Sequence, residues 1–266
     1  PAILEANNTV VEVIENEEDF TTDRLVAMDI LHQPERVIIE YNGMWLVSNF
    51  EKTQLPTGWG VEQQITCVDG STFQMYMANM KSIFMDMIKN TDMVIFNRCK
   101  KEDPLPTYRR GIKVANQRAE VIFEDEEGEL GDIFQDEMPF DMNAPVIEIL
   151  PEDYGIWFVD AMDHPENYEG KTVKFKARVM KPRGMGSKFF VPGRTAMTCC
   201  ADDTTFLGYV CKSAYAPKLT PGEWVEVTAK VGIEKRNEYQ GEEGIVLDAE
   251  HVEQCDPLED EMVYFN

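Results

Sequence analysis

Arg194-Thr195-Ala196-Met197-Thr198-Cys199-Cys200-Ala201-Asp202-Asp203 is the stretch around which the chain is organised. Two adjacent cysteines followed by two carboxylates put soft and hard metal-ligand atoms, or a reactive thiol pair, within a few residues of each other. On either side lie Val173-Lys174-Phe175-Lys176-Ala177-Arg178-Val179, Phe206-Leu207-Gly208-Tyr209-Val210-Cys211 and Trp224-Val225-Glu226-Val227-Thr228-Ala229-Lys230-Val231. All three alternate apolar and polar residues as half-buried strands do. Gly or Pro turns at 184–186, 192–193, 221–222 and 241–244 separate them. The expected fold of this half is a small Greek-key barrel of the oligonucleotide/oligosaccharide-binding (OB) type, reached through a strand at 146–150 and a short helix at 157–162.

The composition limits what such a barrel can bind. Against 25 Lys and Arg stand 49 Asp and Glu, a formal charge of -24 over 266 residues. Most of the surface therefore repels a nucleic-acid backbone or an anionic membrane. Lys181, Arg183, Lys188 and Arg194, interleaved with Phe189 and Phe190, are the one basic cluster. They are too few to overturn the expectation of no nucleic acid. The hydrophobic fraction, 43%, is enough for real cores. No apolar run approaches the ~20 residues that span a bilayer, and the expectation is a cytoplasmic protein that is not membrane-embedded. Six cysteines without a paired CxxC argue for reduced thiols rather than a disulfide framework. The chain opens on Pro1 and leads almost at once into strand-like Thr9-Val10-Val11-Glu12-Val13-Ile14, which suggests a piece of something longer.

The first half reads as strands alternating with helices. Residues 25–31 carry a helical stripe, and Phe73, Met77, Met80, Phe84, Met87 and Ile88 recur at helical spacing. Arg36-Val37-Ile38-Ile39-Glu40, residues 64–69 and Asp92-Met93-Val94-Ile95-Phe96-Asn97 read as buried strands. This order predicts a parallel α/β layer, whose ligands bind at the carboxyl ends of its strands.

At those ends stand Glu40-Tyr41-Asn42-Gly43, Val68-Asp69-Gly70 and Asn97-Arg98-Cys99-Lys100, followed later by Asn116-Gln117-Arg118-Ala119. In this order residues 1–122 resemble a CobW-like GTPase domain. The resemblance implies GTP and Mg²⁺ as ligands, with Glu40 coupling to Mg²⁺ and water, Gly43 approaching the γ-phosphate and Asn97 contacting the base. Two features depart from it. The sequence holds no G-x-x-x-x-G-K-[ST], so the loop that cradles phosphates is missing, and the base-reading motif lacks its final Asp. The layer is therefore expected to be an incomplete P-loop-NTPase-like one, inactive in hydrolysis by itself. Simple strand-end turns explain the same residues.

Residues 123–145, acidic and punctuated by Gly and Pro, read as a linker. Beyond them, His164-Pro165-Glu166-Asn167-Tyr168-Glu169-Gly170-Lys171, the stretch from Arg194 to Asp203, and Gly222-Glu223-Trp224-Val225 make residues 146–266 resemble the carboxy-terminal domain of the YcgQ-like permease-complex subunits. That resemblance implies a permease subunit as partner. The expected metal site draws on Cys199, Cys200, Cys211 and Asp203, with zinc or a related transition-metal ion as cofactor and His251 as a further candidate ligand. Side chains of neighbouring strand residues face opposite ways, so the pair needs a bend to share one ion. The alternative is that one cysteine simply fills the barrel. Taken together, the residues and resemblances lead to an accessory or chaperone-like protein of transition-metal homeostasis. The competing expectation is a non-catalytic module that docks on a membrane permease, and redox chemistry by the thiols ranks third.

Overall fold

The computed structural model describes residues 9–131, 138–198 and 204–264. In chain order its elements are α1 (Thr22–His32), α2 (Val47–Lys52), β1 (Ile65–Asp69), α3 (Phe73–Ile88), β2 (Met93–Asn97), α4 (Leu105–Ala115), β3 (Glu120–Phe123), β4 (Ile147–Glu148), α5 (Tyr154–Asp163), β5 (Thr172–Met180), β6 (Phe189–Met197), β7 (Thr204–Gly208), β8 (Val210–Lys212), β9 (Trp224–Lys235), β10 (Glu243–Gln254) and β11 (Met262–Val263). The chain divides into two compact units. One comprises Pro1–Cys99 and Ala119–Glu127, the other Lys100–Arg118 and Gly128–Asn266. Residues 100–118, which the sequence grouped with the first half, thus belong to the second unit.

The first unit is built on a parallel sheet of order β1-β2-β3. Ile65 pairs with Met93 and Asp69 with Asn97, while Met93 pairs with Glu120 and Phe96 with Phe123. Alternation assigns the faces: Val68, Val94 and Phe96 are buried, and Ile65 is exposed. Phe73, Phe84 and Ile88 of α3 are buried. The Phe73 ring meets Phe84 and Phe96 edge-on, and Phe96 stacks on Phe123. An α/β layer is thus present as expected. Residues 9–14 and 36–40, however, are extended without being strands. A strand exists only through its ladder partners, and neither segment has one among the described residues. The side chains expected to be buried at Val37, Ile38 and Ile39 are exposed.

The second unit is a five-stranded closed barrel of mixed sense. Its strands follow one another around the barrel as β5-β6-β8-β10-β9 and back to β5, with β8 and β10 parallel. The two longest strands, β9 and β10, pair over almost their whole length, with a bulge between Ala249 and His251 that strengthens the coiling. Inward positions of β5 alternate as Val173, Phe175, Ala177 and Val179, all buried. The short helix α5 is buried at Tyr154, Gly155, Trp157, Phe158, Val159 and Ala161. Its Trp157 ring packs on Tyr154, Phe175 and Tyr209. Each large side chain buried this way contributes ~1.5–3 kcal/mol, so the apolar positions of α5 and β5 account for much of the barrel's stability.

The close pairing of β6 with β7 depends on two facing glycines. Gly193 pairs with Gly208 across β6 and β7. A Cβ at Gly193 would collide with the Leu207 carbonyl oxygen, and one at Gly208 would lie 2.6 Å from that of Pro192. Backbone must move to admit either. Gly193→Ala is therefore expected to lower unfolding free energy by about 2 kcal/mol or more in urea titration; an unchanged midpoint would show that the strands do not approach this closely.

Candidate functional site

Two places bring chemistry together, one in each unit. In the first, Asp69 ends β1 and Asn97 ends β2 as ladder partners. The Ser71 amide and hydroxyl both donate to Asp69 Oδ1, at 3.0 and 2.6 Å, and Arg98 donates to Oδ2 at 2.5 Å. Chiefly through the Ser71 hydroxyl, and further through Arg98, these bonds hold the Asp69 carboxyl below the usual carboxylate range. Arg98 reaches it from a left-handed backbone, φ 56°. Gly70 is held by its amide bond to the Asn97 carbonyl, 2.8 Å, and a Cβ there would meet Cys99 Sγ at 2.8 Å. The turns at the two strand ends thus interlock. The Asn97 carboxamide oxygen is buried there without a donor, a state that costs about 1–3 kcal/mol.

Of the residues implied by the GTPase resemblance, Asn97 alone belongs to this cluster. Glu40 is exposed on the unpaired segment. Gly43 sits in an exposed turn with no atom within 4 Å of where a Cβ would be, its carbonyl accepting from the Tyr76 hydroxyl. The partners of Asp69, Ser71 and Arg98, were missed in the sequence. An Asp two residues before a Ser is a turn signal that could have revealed the first of them.

The second place surrounds β6. Cys199, Cys200 and Asp203 lie outside the described residues. What is described is their frame: Met197, the last residue of β6, pairs with Thr204, the first of β7. Cys211 is wholly buried on β8 in the barrel core, where Phe190 is its ladder partner. Burial, with Asp248 adding to it, pushes its thiol well above the usual range. His251 is exposed and faces Glu253 at 3.2 Å. Among the described residues no three metal-ligating side chains form a group.

The basic cluster read from the sequence is taken apart. Lys181 donates to the carbonyls of Ala216 and Leu219. Phe190 is in the core, and Phe189 lies under Arg236 at 4.4 Å. Arg194 is 2% exposed. Its guanidinium donates to the carbonyls of Pro151, Asp260 and Met262, the last two at 2.9 and 3.1 Å, and sits 5.6 Å over the Tyr154 ring. Arg194 is thus a structural tie rather than a phosphate-binding group.

A closed five-stranded mixed barrel with a buried arginine, preceded in the chain by a small parallel sheet, describes the class of protein. A family model described as the DUF1980 C-terminal domain matches residues 129–265, just over half of the chain, and the chain belongs to that family. Comparison with curated proteins gives no match. Among solved structures, the mitochondrial single-stranded DNA-binding protein Rim1 from S. cerevisiae is 10% identical at a TM-score of 0.21, over 33% of this chain and 97% of that one. An aspartyl tRNA synthetase from Entamoeba histolytica is 14% identical at a TM-score of 0.25, over 44% of this chain and 27% of that one. No described helix is long and apolar enough to cross a membrane.

Removing the Arg194 tie should be costly. Arg194→Ala is expected to lower stability by about 3 kcal/mol, because three part-buried hydrogen bonds from a charged donor are lost. Arg194→Lys is expected to lose about 2 kcal/mol or more, since one ammonium does not reproduce the guanidinium fork; wild-type stability for Arg194→Lys in urea unfolding would contradict this. Thiol labelling of the native chain checks the cysteine assignments. Exposed Cys67 is expected to react at once, and buried Cys211 only as fast as the barrel opens. Equal rates would show that the barrel core is open.

Proposed function

We propose that this chain is a non-catalytic accessory protein of transition-metal handling. It holds a thiophilic ion such as zinc with Cys199 and Cys200, assisted by Asp203, and presents its barrel to a permease subunit at the cytoplasmic side of a membrane. One observation carries the reading: Met197 and Thr204 are ladder partners, so the sequence that holds Cys199, Cys200 and Asp203 connects two points of the backbone that lie side by side. Two adjacent thiolates with a carboxylate form a donor set suited to zinc, and a net charge of -24 draws cations toward it. Cys211, sealed in the core, has no part in the set.

The strand order of the barrel, with β8 parallel to β10, supports the OB-type Greek key. The three parallel strands support a P-loop-like layer without its phosphate loop. The unpartnered oxygen of Asn97 supports a contact to a nucleotide base. With no phosphate loop in the sequence, no hydrolytic step follows, and GTP regulates the protein only if another segment supplies that loop.

A second reading, a docking module without metal, is favoured by a cavity of about 160 Å³ lined by Leu150, Pro151, Tyr154 and Phe175 and edged by the Lys174–Glu226 ion pair. Such a hollow fits an apolar side chain of a partner. Elemental analysis after zinc loading separates the two readings. Wild type is expected to retain stoichiometric zinc, and Cys199→Ser with Cys200→Ser to lose it, while Cys211→Ala keeps it. Absent zinc in wild type, or unchanged zinc in the double variant, would leave only the docking module.

A further inference from the structure

The acidic excess of the chain is not spread evenly. Residues 170–222 hold ten Lys and Arg and only two carboxylates, Asp202 and Asp203, in a chain where 49 carboxylates face 25 cations. Several of the ten are engaged: Lys174 pairs with Glu226, Arg178 with Glu261, and Arg194 is buried. Arg183, Lys188 and Lys218 are exposed and take no carboxylate partner among the described residues.

The fold brings these three together. Between β5 and β6 the chain turns twice. The Met185 amide donates to the Pro182 carbonyl at 3.3 Å, with Gly184 left-handed at φ 86°, and the Phe189 amide donates to the Gly186 carbonyl at 2.9 Å. Arg183 and Lys188 occupy central positions of these two turns. The segment after β8 is tied against them at two points. Lys181 Nζ donates to the carbonyls of Ala216 and Leu219, at 2.6 and 2.5 Å, and the Ser213 amide donates to the Lys188 carbonyl at 2.9 Å. Lys218 belongs to that segment and lies 5.9 Å over the Tyr215 ring. Two neighbours bound the patch. Lys212, the ladder partner of Phe189, is also a ladder partner of Asp248, and Arg236, over Phe189, pairs with Glu234 and Glu238. Cations gathered without carboxylates repel one another, a cost relieved when a partner brings the missing charge.

We propose that this end of the barrel docks an acidic, extended peptide segment of a partner protein. Charge complementarity sets the sign of the partner. The rest of the surface sets its form. With a net charge of -24 screened only beyond ~8 Å, a flat anionic membrane or a long nucleic-acid strand meets repulsion all around the patch. A short peptide touches the patch alone. Single-strand binding also uses open ring faces, whereas Phe189 and Tyr215 each already carry a cation over the ring. This surface shares no residue with the proposed zinc site or with the cavity beside Tyr154, so it stands or falls apart from both.

Fluorescence anisotropy of a labelled hexaglutamate peptide with the full chain tests the proposal. Wild type is expected to bind it at low ionic strength and to release it as salt rises. Arg183→Glu combined with Lys188→Glu is expected to weaken binding at least about tenfold while leaving circular dichroism unchanged. Lys89→Glu combined with Lys101→Glu makes the same change of charge at exposed positions outside the patch, and is expected to stay within about twofold of wild type. No binding by wild type, or an equal loss in the two double variants, would overturn the proposal. Tighter binding of a thymidylate hexamer than of hexaglutamate, or retention on phosphatidylserine vesicles, would also overturn it, marking a nucleic-acid or membrane surface instead.

Discussion

One guanidinium holds the barrel shut. Strands β5 and β6 share a ladder only where Arg178, Val179 and Met180 meet Gly193, Pro192 and Val191. Beyond Gly193 they have other partners: β5 takes β4, and β6 takes β11. These two short strands are the ends of the sheet. Arg194, on β6, donates both to the carbonyl of Pro151, just past β4, and to those of Asp260 and Met262 by β11. A buried cation is expensive unless dipoles replace its water, and here three carbonyls and the face of Tyr154 do so. Burial still pulls the arginine pKa down. The closed core that this tie secures keeps Cys211 away from any ligand.

The barrel was legible because its physics is local. Alternation along β5, β9 and β10, with Gly and Pro between the strands, marks half-buried strands whatever surrounds them. The helix that carries Trp157 and the strands ending in Asp69 and Asn97 were legible for the same reason. What failed was pairing. Val37-Ile38-Ile39 has the composition of a buried strand, but composition cannot supply a neighbour, and the structure leaves these residues extended and exposed. The two roles of arginine were also hidden. Arg194 reads as one more base beside Lys181 and Lys188, and only the fold brings Pro151 and Met262 to it. Arg98 reads as part of a damaged base-reading motif, and only the register of β1 on β2 turns it toward Asp69.

The two units contribute differently to the functional reading. In the first, strand-end turns interlocked through Asp69, Ser71, Arg98 and Gly70 form a stiff shelf with one orphan acceptor, Asn97. In the second, the barrel interior is apolar, and Cys199 and Cys200 fall in the sequence between β6 and β7.

The central claim is that a metal ion is held by the adjacent cysteines alone among the thiols. X-ray absorption fine structure at the zinc edge of the loaded chain reads this directly. The account predicts two sulfur neighbours at about 2.3 Å with lighter oxygen or nitrogen donors completing the shell. A shell with no sulfur, or one that loses a sulfur in Cys211→Ala, would contradict it.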